Sequence, residues 1–150
     1  MNVKRLVIGT IVGAIALLVV GWVMFELLLG DFYRSNMSSL PGVVRATPLY
    51  WSLVIGQLIY ALLISLALEA KRSAYAIGDG FTVGATVGVL LWGSANFTLY
   101  ALVDVNNLML TIVDSLLAIV QAGIAGAVIA WVVGLIGSKS STASTARAVS

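Results

Sequence analysis

Six polar side chains stand inside stretches that are otherwise apolar, and their types and spacing define the chemistry open to this chain. They are two carboxylates, Glu26 and Asp114, three amides, Gln57, Asn96 and Gln121, and the phenol of Tyr60. A charged group at the centre of a bilayer costs about 2.5–3.5 kcal/mol on insertion scales, so each acid needs a partner, a cavity or a nearby interface. If the six converge, they line a hydrated pocket able to exchange a proton or cation or to receive a small amphiphile. The competing reading is plainer. Glu26 reaches the interface, while Gln57, Asn96, Asp114 and Gln121 act as hydrogen-bonding glue between helices. The two readings are compatible.

Other chemistry is poorly supplied. Cysteine and histidine are both absent, which removes disulfides, thiol nucleophiles, imidazole bases and the commonest zinc ligands. No catalytic residue, metal site or cofactor is therefore expected, and a membrane enzyme acting on a lipid or quinone is the weakest of the functional classes. Gly78-Asp79-Gly80 with Gly84 has no preceding strand and no Gly-Lys-Ser/Thr ending, so it is not read as a nucleotide loop. The eight basic residues are scattered along the chain, which leaves no dense patch for nucleic acid.

The elements that must position the six residues follow from composition. Of the 150 residues, 61% are hydrophobic and 9% charged, against roughly 45–50% and 25% in soluble domains. A water-soluble fold could not cover that much apolar surface. Four apolar stretches reach the ~20 residues needed to cross a bilayer, at about 6–29, 49–68, 81–102 and 108–136. They predict an all-α, integral membrane four-helix bundle running up, down, up and down over 1–137. Thr47 and Pro48 suit the start of the second helix, and Asp79 suits a cap for the third. Asp104 to Asn107 forms a tight turn before the fourth. The Ser-, Thr- and Ala-rich segment 138–150 is expected to be a disordered cytoplasmic tail.

Orientation follows from the basic residues. A cytoplasmic N-terminus puts Lys4, Arg5, Lys71, Arg72, Lys139 and Arg147 inside and only Arg34 and Arg45 outside, which satisfies the positive-inside rule with both termini cytoplasmic. Trp22, Phe25, Phe32, Tyr33, Tyr50, Trp51, Phe97 and Tyr100 then fall near the outer interface, and Tyr75, Phe81 and Trp131 near the inner one. Under this topology Glu26, Gln57, Asn96 and Asp114, one from each helix, lie in the outer half with Tyr60 just beyond Gln57, and Asp114 is about 9 Å along its helix at 1.5 Å per residue. Asp114, Ala118, Gln121 and Ala125 share a small, polar face that should turn inward. The 31–46 connection reads as a linker or a short interfacial element bent at Pro41-Gly42.

Small residues recur every fourth position: Gly9 and Gly13; Gly80, Gly84 and Gly88; Ala122, Gly126, Ala130 and Gly134. Such faces let backbones approach closely, either within one chain or in a homo-oligomer or a complex with a membrane partner. The stretch Phe25–Arg34 (FELLLGDFYR), the block Gly84–Asp104 (GATVGVLLWGSANFTLYALVD) and Asp114 resemble small four-span bacterial membrane proteins of unknown function. The resemblance implies a single four-helix domain in a bacterial inner membrane and carries no activity to transfer. Two functional classes lead: a small binding or transport unit built on the polar pocket, and an accessory subunit associating through its glycine faces, with membrane lipids as the common surroundings.

Overall fold

The computed structural model describes residues 2–37, 45, 47–71 and 76–148, with side chains described as far as Ile136. Its elements are α1 (Val3–Trp22), a π-helical segment (Val23–Leu28), α2 (Gly30–Asn36), α3 (Tyr50–Lys71), α4 (Ile77–Leu102) and α5 (Leu108–Ala148). Four stretches are long and apolar enough to cross a membrane: Val3–Leu28, Tyr50–Lys71, Ile77–Leu102 and Leu108–Ile136. The chain is an all-α four-helix bundle and a multi-pass membrane protein. Helices suit that setting because they satisfy every backbone donor and acceptor within one segment. Outward faces such as Val7, Ile11, Ile15 and Val19 of α1 are exposed, as a lipid-facing stripe requires.

Several boundaries differ from the sequence expectations. The third span begins at Ile77 instead of the expected 81, so Gly78-Asp79-Gly80 forms its first turn. Ala76 holds the N-cap position, and Asp79 instead meets the Lys71 ammonium at 2.7 Å. An acid in a first turn still favours the helix dipole, which explains why the signal looked like a cap. Thr47 and Pro48 precede α3, whose first turn closes on the Leu49 carbonyl. Helix α5 continues to Ala148, past the expected end at Ile136 and into the segment expected to be disordered. A helix already nucleated by a long apolar span propagates cheaply through alanine-containing sequence. The Pro41-Gly42 bend, Arg72 and Tyr75 lie outside the described residues.

Packing is uneven. α4 and α5 form the closest pair, joined where Gly80, Gly84 and Gly88 meet Ala118, Ala122, Gly126 and Ala130. A Cβ at Gly84 would land on the Ala122 carbonyl oxygen, and one at Gly80 on that of Gly126. The first helix uses the same device, with Gly13 against Ile129 and Ala61 and Gly9 against Ser65 and Ile129. These glycine faces are filled from within the chain. Around them Leu17, Ala61, Ile64, Ala122, Ala125, Ile129 and Val133 make the buried core.

α3 is attached over only part of its length. From Tyr60 to Leu68 it buries Tyr60, Ala61, Ile64, Ser65 and Leu68, whereas from Tyr50 to Ile59 every residue except Gln57 is exposed. It lies along α1 and meets α4 and α5 sparsely. The bundle is therefore closed toward the end carrying the N-terminus and splayed toward the end carrying α2.

The seam between α4 and α5 predicts a sharp asymmetry between two glycines of one helix. Gly84→Ala must push the backbones apart and should cost about 1–3 kcal/mol. Gly93→Ala, with nothing within 4 Å of the new methyl, should stay within about 1 kcal/mol of wild type. Unfolding in a dodecyl sulfate titration followed by circular dichroism distinguishes them, and equal effects would rule out the seam.

Candidate functional site

The splay leaves a cleft of about 1000 Å³ whose walls include Glu26, Gln57, Asp114 and Gln121. Four of the six candidate residues thus share one cavity. The other two stand beside it. Asn96 sits behind Asp114, donating from Nδ2 to its Oδ2 at 2.6 Å. Tyr60 lines an adjoining groove of about 610 Å³ between α3 and α4, which shares Gln57, Leu53 and Trp92 with the cleft.

Asp114 is the best-supported polar group. One carboxylate oxygen accepts from Asn96 and the other from the Tyr33 hydroxyl, so α2, α4 and α5 meet at this acid. Asn96 also donates to Ser115 Oγ at 3.3 Å, and Ser115 in turn donates to the Thr111 carbonyl at 2.7 Å. Asn96, Ser115 and Thr111 are all buried. Interhelical bonds of this kind are worth about 0.6–2 kcal/mol each in membranes. Gln121 likewise ties α5 to α1, with Nε2 donating to the Leu17 carbonyl at 3.1 Å. For Asn96 and Gln121, then, the glue reading describes what the side chains do.

Gln57 and Tyr60 behave differently. The Gln57 Oε1 and the Tyr60 hydroxyl are both buried from solvent without a hydrogen-bond partner. Tyr60 is 5% exposed, and its ring stands edge-on to Trp92 with centroids 6.4 Å apart. Unpartnered buried polar groups cost about 1–3 kcal/mol each. Both residues line the groove between α3 and α4, and Ser65 Oγ, in the closed core, is a third buried atom without a partner.

Glu26 owes its place to a break in helical geometry. The buried seam of α1 runs through Gly9, Gly13, Leu17 and Gly21 to Met24, where the helix widens to a π turn closed by the Leu29 amide on the Met24 carbonyl at 3.0 Å. π segments insert a residue into the α-helical phase and are frequent at functional sites. The turn ends at Leu29, with φ −122° and ψ 8°, and the chain bends into α2. Glu26 is exposed at the rim of the cleft.

α2 is fastened at both ends. Phe25 and Tyr33 pack edge to face at 5.2 Å. Asn107 Nδ2 donates to Asn36 Oδ1 at 2.7 Å, its amide N–H reaches the Asn36 carbonyl at 3.3 Å, and its Oδ1 caps the Leu110 amide at 2.8 Å. Asn107 thus starts α5 and holds α2 against it. Sequence reasoning missed Tyr33, Asn36, Asn107 and Ser115 as parts of the site. Tyr33 reads as an ordinary interfacial aromatic, and nothing local signals a partner 81 positions along the chain. Among the described residues no three acids converge as a metal-binding group.

Burial, followed by the hydrogen bond and charge of Asp114, pushes the Tyr33 phenol above its ordinary value of about 10. The unfolded phenol loses its proton first, so stabilisation is complete below about pH 10 and declines as pH rises beyond it. Tyr33→Phe should therefore destabilise at pH 7 by about 1–3 kcal/mol, with the gap to wild type narrowing above pH 10. A double-mutant cycle with Asp114→Asn should give a coupling of at least about 0.5 kcal/mol; additivity would mean that the two side chains do not meet.

No protein-family model, curated protein or solved structure matches this chain, so its site is read from its own geometry.

Proposed function

We propose that this chain is a small membrane-embedded binding or transport unit that takes its ligand into the cleft between the splayed half of α3 and the rest of the bundle. The observation that carries this reading is the cleft itself, whose wall brings Glu26 of the first span, Gln57 of α3 and Asp114 and Gln121 of α5 to one space. Cavities of about 300–1,000 Å³ with a few polar groups in apolar walls are typical of small-molecule sites.

In this reading the α2 end faces outward and both termini face the cytoplasm of a bacterial inner membrane. The six basic residues assigned inside, against two outside, support that topology. No side chain is assigned a catalytic role. The accessory-subunit reading is weakened because the glycine faces that would serve it are occupied by the chain's own helices.

The absence of cysteine gives a clean background for testing the cleft. Single Cys variants at Gln57, Pro48 and Asn2 are treated in intact cells with a membrane-impermeant maleimide. Pro48→Cys and Gln57→Cys should label from outside, and Asn2→Cys only after lysis. If Pro48→Cys labels while Gln57→Cys resists, the cleft is closed to water and the binding reading fails. Labelling of Asn2→Cys in intact cells would invert the topology.

A further inference from the structure

Resting on the cleft reading above, we infer that α2 is a strap latched onto Asp114, whose release about Leu29 and Gly30 frees one carboxylate oxygen to the cleft and widens the cleft mouth. What holds α2, what it covers and where it bends together make such a device.

α1, α3, α4 and α5 are each anchored by buried side chains, whereas none of the seven residues of α2 is buried. So short a helix has little stability of its own, and α2 keeps its place through its attachments. The bond between the Asn36 and Asn107 side chains is exposed, where water can replace it. The other side-chain fastenings are the Tyr33 ring against Phe25 and the Tyr33 hydroxyl on Asp114. An element with few buried apolar contacts and exposed hydrogen bonds belongs to the part of a fold that opens locally, ahead of global unfolding.

Asp114 borders the cleft, yet each of its oxygens already accepts a bond, Oδ2 from Asn96 and Oδ1 from Tyr33. The two donors are not equally removable. Asn96 is buried on α4 and bonded to Ser115 as well. Tyr33 rides on α2 and is only partly buried. Opening the strap therefore leaves Asp114 oriented by Asn96 while Oδ1 becomes a free acceptor on the cleft wall. Tyr33 and Arg34 belong to that wall themselves, so the same movement enlarges the mouth.

The bend lies at the end of the π turn. Leu29 closes that turn on the Met24 carbonyl at 3.0 Å and then leaves helical geometry, with φ −122° and ψ 8°. On the far side Met37 is extended, with ψ 156°. α2 is thus a rigid piece set between two non-helical residues. Hinges are built from such element-terminal positions, which absorb a change in φ and ψ.

The chain carries no cysteine, so a reversible lock can be installed on the strap. Met37 and Asn106 oppose each other in an antiparallel bridge, where Cα atoms stand about 4.5–5.5 Å apart, a separation that a disulfide spans. The full-length double variant Met37→Cys/Asn106→Cys, with and without Tyr33→Phe, is placed in phosphatidylcholine nanodiscs, reduced or oxidised. It is treated with a water-soluble carbodiimide and glycinamide, and peptide mass spectrometry follows amide formation at Asp114 and Glu26. Glu26, exposed at the rim, is the reference. Because Asp114 reacts through the open minority, its modification should slow at least about tenfold on oxidation. Tyr33→Phe should speed it by a similar factor in the reduced protein alone, and Glu26 should react alike throughout.

Equal rates at Asp114 in the reduced and oxidised forms would overturn the proposal, because α2 would then not govern the carboxylate. A gain from Tyr33→Phe that persists after oxidation would also overturn it, since loss of the hydroxyl alone would uncover the oxygen. Failure of the disulfide to form would place α2 away from α5, with the same consequence. In these cases a reactive Glu26 leaves the cleft reading standing. If Glu26 and Asp114 both resist in every form, water does not enter and both readings fall, an outcome that the maleimide labelling at Gln57 reports independently.

Discussion

The backbone of α4 lies directly on the backbone of α5, and that contact sets the rest of the bundle. Glycine at positions 80, 84 and 88 removes the side chains that would hold the two helices apart, so carbonyl oxygens of one helix touch α-carbons of the other. In lipid there is little hydrophobic gain from bringing helices together, and close van der Waals contact along such a seam is the main attraction available. The same seam, continued along α4, brings Asn96 onto Asp114 and Ser115. A side chain at Gly84 would therefore disturb the polar cluster as well as the packing.

The rest of the structure divides into a tight part and an open part. Toward the N-terminal end, Gly9 and Gly13 admit Ser65, Ala61 and Ile129, and three helices close around Leu17 and Ile64. Toward the other end the small residues of α3, Ser52 and Gly56, meet no partner helix, and nothing lies within 4 Å of a Cβ placed at Gly56. Tyr50, Trp51, Leu53, Val54 and Ile55 stand exposed there, and bulky side chains without a complementary groove keep helices apart. The cleft is the geometric result of a seam that stops near Tyr60. Its polar groups are then sorted by what they can reach: Asn96 and Gln121 find partners across the closed seams, while Gln57, on the departing part of α3, does not.

α2 gives the open end its order. The π turn at Val23–Leu28 terminates the first span and turns the chain so that Tyr33 reaches Asp114. Asn36 and Asn107 pin the other end of α2 to the start of α5. One wall of the cleft is consequently fixed by hydrogen bonds from three elements, and the opposite wall, α3, is held only by its lower half.

The sequence by itself determined the class of this protein and its four spans, because apolar length and charge exclusion are local properties that the bilayer tests segment by segment. It also marked the residues of interest: Glu26, Gln57, Asn96, Asp114 and Gln121 are conspicuous because polar groups in apolar runs are costly wherever the helices go. The four-residue spacing of Gly80, Gly84 and Gly88 announced a packing face, and its mate was visible in Ala122, Gly126 and Ala130. Tertiary structure alone decided which polar groups would be partnered. Asn96 and Gln57 are both amides deep in a span, and only the seam on α4 and the splay of α3 separate a bonded one from an orphan. The union of Tyr33 with Asp114, the clamp between Asn36 and Asn107 and the π turn before α2 depend on distances between segments remote in the chain, which no local pattern encodes.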